Sequence, residues 1–433
     1  MTSFTSQFAF QQHRTIDDQL NCYTPTAAFL HNLGSSLTMC ILLLSTSHPK
    51  YPLILLSNRD EYLNRPTARA DFWPAPNDDV LGPRDLAREQ HGSWIGITRT
   101  GRLAVLLNYR ETKPDDTISL LSRGILVKHF LTSRCTSTQQ WIENAIENAG
   151  PGGLSSVGGF SMVCGILRRN HENRRKSYCD ESTDYRQKEI PAEVGNERLE
   201  TFAILTNRST SLVDGTSWIF SPSHLVNPTI KHEDTEGIKT RIRAHTYGIS
   251  NSLYTDPWPK VHKGCDLLAS AITNDILAQA SEVDTDSFIE SLFKILLLDD
   301  MPSKILSSPD PNEIFDSLRH TIFVPVFQAT NDLLRDTESV SNPDSENTCV
   351  TSKSTLTDVD GRPIKSAFSE PPTKPYTFIK GKYYGTRTQT VVLVSNEGHV
   401  QYIERTLHER DDIEHKMETS KTRKFTFDIE GWD

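Results

Sequence analysis

Apolar positions along this chain gather in short runs that predict strands near both ends and helices between them. Cys40-Ile41-Leu42-Leu43-Leu44 is a continuous apolar run of strand length. Leu53-Ile54-Leu55-Leu56-Ser57 is its partner across the turn residues His48-Pro49-Lys50-Tyr51-Pro52. Trp94-Ile95-Gly96-Ile97 and Leu103-Ala104-Val105-Leu106-Leu107 flank Arg99-Thr100-Gly101, a hairpin signal. Helices are expected over 120–131 and 138–148, the second stopped by Gly150-Pro151-Gly152-Gly153. Strands resume at 160–167 and 202–206, helices at 257–277 and 285–298. The chain closes with strands at 390–395, 399–405 and 424–429. Blocks of strands and helices in this order predict a layered α+β sandwich, not alternating βαβ units.

Three segments do not share the pattern. Residues 168–200 are dominated by Arg, Asn, Glu, Lys and Ser, and 335–373 by Ser, Thr, Asp and Pro. Both have too little apolar content to offset the entropy of ordering, so they read as flexible insertions. Residues 1–38 hold one Arg, no Lys and the adjacent acids Asp17 and Asp18. They lack the basic and apolar regions of a secretory signal and are too poor in Arg for a mitochondrial presequence. They read as a disordered leader, or as lying upstream of the start in use. The domain that follows is expected to run over 39–433.

Composition narrows the function. The chain has 433 residues, with 46 basic against 56 acidic side chains, a net charge of −10. With a pI near 5.8, it lacks the basic surface that nucleic acid requires. No apolar run approaches the roughly 18 residues that span a bilayer. The mean hydropathy of −0.46 fits a core diluted by the polar segments. Seven cysteines (22, 40, 135, 164, 179, 265 and 349) are odd in number, widely spaced and without a C-x-x-C pair. That suits individually placed thiols in a reducing compartment, not a disulfide framework or zinc site. The histidines have no ligand spacing, and no Walker A, G-x-G-x-x-G, H-E-x-x-H or G-x-S-x-G motif is present. Asn207-Arg208-Ser209 is a formal glycosylation sequon.

The unusual strings are polar. Asn58-Arg59-Asp60-Glu61 places an amide, a guanidinium and two carboxylates at the end of an apolar strand. Such charges either line a cleft mouth or form a surface bridge from Arg59 to Asp60 or Glu61. Collinear with it stand Met39-Cys40-Ile41, Arg65-Pro66, Ala70-Asp71-Phe72-Trp73, Gly92-Ser93-Trp94-Ile95-Gly96, Gly101 and Asn108-Tyr109. Farther on come Tyr247-Gly248-Ile249-Ser250-Asn251, Thr255-Asp256-Pro257-Trp258, Tyr384-Gly385-Thr386-Arg387-Thr388, Gly398-His399-Val400 and Glu404-Arg405. Together these resemble the NRDE family, also known as the Transport and Golgi organisation protein 2 family, from Met39 to about Ile429.

The resemblance implies a four-layer αββα sandwich similar to amino-terminal-nucleophile hydrolases. In those enzymes Met is removed, the exposed Cys attacks an amide, and its α-amine, with a pKa of roughly 7.7–8, shuttles the proton. Carried over, Cys40 is the nucleophile. Arg59 and Asp60 position the amine and lower the thiol pKa. Asn108 and Asn251 supply donors to the oxyanion, and Arg387 completes the polar floor. A purely structural alternative has Asn58 and Arg59 tying a strand end and Arg387 pairing Glu404. Cys40 is internal, however, and a peptide nitrogen has no usable lone pair. The amidase needs initiation at Met39 or removal of the leader.

Two functions are therefore expected. One is a cytoplasmic factor in Golgi organisation and protein secretion, with Golgi or mitochondrial association. It would bind a small-molecule or lipid-like ligand between the sheets, with haem or acyl lipid as cargo and no cofactor. The other is an amino-terminal Cys amidohydrolase acting on an acyl amide or a related small molecule.

Overall fold

The computed structural model describes residues 39–111, 122–147, 154, 157–167, 169–170, 198–199, 202–208, 216–219, 234–278, 285–308, 310–328, 383–408 and 421–432. The leader over 1–38, the 335–373 segment and most of 168–200 lie outside the described residues.

The first apolar run forms β1 (Ile41–Ser45), and after the turn the chain continues in β2 (Leu53–Tyr62). Next come β3 (Thr67–Phe72), β4 (Val80–Asp85), β5 (Ile95–Thr98) and β6 (Arg102–Asn108). Helices α1 (Gly124–Leu131) and α2 (Thr138–Glu147) lead to β7 (Phe160–Ile166). Then follow β8 (Arg169–Asn170), β9 (Arg198–Leu199), β10 (Phe202–Thr206) and β11 (Thr216–Ile219). The next stretch is α3 (Thr235–Ala244), β12 (Thr246–Ile249), α4 (Pro259–Ala278), α5 (Thr285–Leu296), α6 (Pro311–Leu318) and β13 (Phe327–Gln328). It ends with β14 (Tyr383–Val394), β15 (His399–Thr406) and β16 (Thr422–Asp428).

The fold is mixed α+β, with two seven-stranded antiparallel sheets and, among the described residues, six α-helices. The first sheet runs β12-β1-β2-β14-β15-β16, with β13 also on β14; the second runs β11-β10-β7-β6-β5-β4-β3. Strands β8 and β9 pair with each other, joining the two ends of the 168–200 segment.

Alternation divides the first sheet's residues between two faces. Leu42, Leu44, Leu53, Leu55, Val392 and Val394 meet Ile95, Ile97, Leu103, Val105, Val163 and Ile204 of the second sheet. Ile41, Leu43, Ile54, Leu56, Val391 and Leu393 pack with Ile238, Ile242, Val261, Leu268, Phe288 and Leu292 from α3, α4 and α5. The second sheet's other face sets Ala104, Leu106, Met162 and Leu205 against Leu126, Phe130 and Trp141 of α1 and α2. Helix α4 approaches β1 closely because residue 264 is glycine. A Cβ there would lie 2.8 Å from the Leu43 side chain.

The expected hairpin forms, with Gly101 in the left-handed region (φ 82°) that glycine enters without steric cost. Two expectations need correction. Strand β2 does not end before the NRDE run but carries it, and β14 begins at Tyr383 rather than near residue 390. The two polar stretches pair with each other, Tyr62 against Tyr384 through Leu53 against Val394, so each satisfies the other's backbone. Strand β4 was hidden by Gly82-Pro83, a turn-like pair. Its pairing with β5 covers only Val80 and Leu81, where no proline N–H is needed.

Candidate functional site

Cys40 stands one residue ahead of β1. Ile41 pairs with Asn58, so Cys40 falls opposite Arg59, and its thiol packs against the core between the sheets. Its sulfur accepts a hydrogen bond from the backbone N–H of Asp60 at 3.4 Å and lies 3.7 Å from that residue's carbonyl oxygen. The hydroxyl of Ser250 donates to the Cys40 carbonyl at 2.7 Å.

The NRDE residues alternate like any strand, and this splits their duties. Asn58, wholly buried, donates to the carbonyls of Leu296 and Ile322 at 2.8 and 3.0 Å and accepts from Gln389 at 3.2 Å. From within β2 it ties the strand to the end of α5 and to the segment at Ile322. Arg59 lies over the Trp94 ring at 4.0 Å and reaches Glu61 at 3.4 Å. Asp60, 1% exposed, accepts from the Thr386 hydroxyl at 2.6 Å.

Thr386 and Asp60 face each other because β14 has a bulge between Thr386 and Thr388. The irregularity lets Arg387 and Thr388 both line a cavity of about 250 Å³ with Thr67, Arg69, Pro83, Trp94, Glu404 and Thr406. Cys40 is not among the residues lining that cavity. Arg387 donates to the Arg65 carbonyl, to Thr67 at 3.3 Å and to the His408 carbonyl at 3.3 Å. It thus belongs to the cavity rather than to the immediate surroundings of Cys40. Asn251 donates its amide to the Asn108 backbone carbonyl at 2.6 Å. The structure brings these two residues together, with Asn108 contributing its main chain to the contact.

Electrostatics differ from the expectation of an activated thiol. Burial, with the Asp60 charge second, pushes the Cys40 thiol up to about 12. The nearby Arg59 charge and the Asp60 N–H act in the opposite direction without prevailing. Burial likewise raises Asp60 to about 6, against the pull of Lys260, Thr386 and Arg59.

Sequence reasoning missed Lys260. It is wholly buried on α4, and its ammonium donates to the Met39 carbonyl. Burial lowers it to about 8, while Asp60 and Cys40 act in the other direction. The available signal was a conflict: a lysine at the second position of a helix opposes the macrodipole, so some other group has to hold it there. Met39 itself is wholly buried with Tyr62, Trp258, Leu318, Val324, Phe327 and Tyr384. Among the described residues, four buried polar atoms in this neighbourhood have no hydrogen-bond partner: Arg59 Nη1, Asp60 Oδ2, Asn251 Oδ1 and the Tyr384 hydroxyl.

The family model described as Transport and Golgi organisation 2 matches residues 39–409. The chain belongs to this family. Among its relatives, the uncharacterized protein YGR127W of Saccharomyces cerevisiae is 27% identical over 394 residues, covering 89% of this chain and 97% of the relative. The Homo sapiens Transport and Golgi organization protein 2 homolog is 23% identical over 399 residues, covering 91% and 100%. The Transport and Golgi organization protein 2 of Drosophila melanogaster is 36% identical over 103 residues, covering 22% and 35%. Within the matched region of the Transport and Golgi organisation 2 family lie all six expected site residues, Lys260 and the residues lining the cavity. No helix among the described residues is long and apolar enough to cross a membrane.

Proposed function

We propose that this protein is a cytoplasmic factor in Golgi organisation and secretion, peripherally associated with the Golgi or mitochondria, that binds a ligand and does not hydrolyse one while Met39 remains attached. The observation that carries this reading is the Met39–Cys40 junction. Met39 is wholly buried, the Cys40 nitrogen is a peptide nitrogen, and the thiol is pushed up to about 12. Neither the base nor the nucleophile of an amidase is therefore available at neutral pH.

The ligand site of this reading is the cavity between the sheets. At about 250 Å³ it is smaller than the roughly 300–1,000 Å³ of pockets that enclose drug-sized ligands. With Arg69, Arg387 and Glu404 in its lining, it suits the polar head of an acyl lipid better than a whole haem. A fluorescent fatty acid titrated into the full chain is expected to bind, and Arg387→Gln to weaken it about tenfold. Equal affinity in the variant, or haemin binding that Arg387→Gln abolishes while the fatty acid does not bind, would sink the assignment.

A second reading, the amino-terminal-nucleophile amidohydrolase, is supported by these four buried polar atoms and by helices packed on the outer faces of two facing antiparallel sheets. If Met39 is removed, the α-amine of Cys40 emerges beside Asp60. The sulfur then attacks an amide carbonyl, forming the S–C bond. The C–N bond breaks as the amine passes the thiol proton to the leaving group, and water hydrolyses the thioester. A chain beginning at Cys40 is expected to hydrolyse acyl amides. Cys40→Ser, or one residue added ahead of Cys40, is expected to abolish that turnover without unfolding. Activity that survives both changes would eliminate this reading.

A further inference from the structure

We propose that the chamber around Met39 is a ligand subsite for an unbranched apolar group attached to a carbonyl or carboxylate. Met39 is its built-in occupant and Lys260 its oxygen-binding cation. The proposal deepens the amidohydrolase reading and rests on it for the identification of this ligand as the acyl part of a substrate. The chamber's capacity to bind needs no turnover.

Three observations converge on it. The first is shape. The flexible thioether of Met39 is enclosed by rings and aliphatic groups, with Tyr62 edge-on to Tyr384 at 5.3 Å and Phe327 tilted on Tyr384 at 5.7 Å. An unbranched, polarisable chain fits such an aromatic chamber.

The second is charge. A buried ammonium requires compensation, and a backbone carbonyl supplies only a dipole. Lys260 reaches the Met39 carbonyl and feels the Asp60 charge. A carboxylate at the carbonyl's position would meet it with a full opposite charge. Arg110 lies over Phe315 at 3.4 Å and Arg319 over Trp258 at 5.8 Å, so cations flank the same aromatic group.

The third is incompleteness. The Tyr384 hydroxyl and Asp60 Oδ2 are buried beside the chamber without hydrogen-bond partners among the described residues. Met39 in its present position leaves both unsatisfied, and a ligand with a polar end can meet them.

The test has two arms. In the full-length chain, Met39→Gly empties the apolar half of the chamber. Its Tm is expected to fall below wild type and to recover on adding ethyl methyl sulfide, the methionine side chain alone. Wild type, and Met39→Gly combined with Leu318→Phe, are expected not to respond. The second arm uses a chain beginning at residue 40, which keeps every described strand and helix and every cluster residue except Met39. Cys40→Ala in that chain removes turnover. It is expected to bind N-acetyl-L-methionine, with N-acetyl-L-valine and N-acetyl-L-methioninol about tenfold weaker. Lys260→Met is expected to cost a similar factor.

No recovery by the sulfide in a folded Met39→Gly chain overturns the proposal. So does binding of N-acetyl-L-methionine that is absent, indifferent to branching, or indifferent to Lys260→Met. If Met39→Gly does not fold, the second arm decides. The parent reading fails separately. Binding without hydrolysis of N-acetyl-L-methionine amide by the chain beginning at Cys40 removes the amidase and leaves the subsite. Hydrolysis that Leu318→Phe leaves unchanged removes the subsite and leaves the amidase.

Discussion

Asp60 links the parts of the site. Its main chain holds the Cys40 sulfur, its side chain holds Thr386, and its charge acts on both Cys40 and Lys260. Its folded pKa of about 6 lies above the ordinary 3.8, so the fold favours the neutral acid. That contribution is fully present below pH 3.8 and is lost as pH rises through 6. Relative to Asp60→Asn, whose side chain does not titrate, the wild type is expected to lose on the order of 3 kcal/mol of stability across this window. Urea unfolding at pH 4 and pH 7 measures the difference, and a constant gap between the two proteins would contradict the raised pKa. Carbon-13 carboxyl shifts should place the Asp60 midpoint near 6. Thr386→Val and Lys260→Met should each move it higher, because each removes a group that lowers it.

Some of the site was legible in residue types and some was not. The NRDE string marked β2, and the YGTRT string marked the strand opposite it. The sequence also contained the alternation that sends Asn58 and Asp60 to one face and Arg59 to the other. It was obscured because all four residues are polar, so hydrophobic periodicity had nothing to register. Asn207, formally part of a sequon, is a buried clamp, donating to the Leu154 and Val157 carbonyls at 2.9 and 2.8 Å and accepting from the Phe160 N–H at 3.0 Å.

At the scale of elements, apolar runs identified β1, β6, β7, α4 and α5 closely. They missed α3 and α6, whose apolar residues are few, and the polar half of β14. The N-terminus of α3 did carry a signal: Asp234 caps it by accepting from Gly237 at 2.8 Å.

Two predictions belong to elements. Gly264→Ala in α4 should destabilise by about 1–3 kcal/mol, because crowding against Leu43 outweighs the roughly 1 kcal/mol of helix propensity gained. Chemical denaturation decides the sign, and a stabilised variant would show that α4 does not rest on β1 as described. The turn after β1 depends on His48, which accepts from Lys50 and Tyr51 at 3.1 and 3.2 Å and pairs with Asp275 at 2.9 Å. Burial lowers its pKa below 6.5 despite Asp275. Its contribution is present above about pH 6.5 and lost as pH falls through the folded value. His48→Gln should therefore flatten the loss of stability on acidification that the wild type shows below pH 6.5. An unchanged slope would remove His48 from that role.

For the whole molecule, the two sheets and the helices on their outer faces bring Met39 and Cys40 to the head of β1. There β2, β12, α4 and α6 converge on the junction. Family membership was legible because its strings are collinear over most of the chain. Lys260 and the Met39 chamber were not, because both depend on contacts between segments more than 200 residues apart. Under the proposed function, this junction keeps Cys40 inert in the intact chain. The most direct test is the pH dependence of Cys40 alkylation in the full-length protein, followed by mass spectrometry of the Cys40 peptide. The rate is predicted to be very slow at pH 7.4 and to keep climbing toward a midpoint near 12. A plateau reached by pH 9 would contradict it.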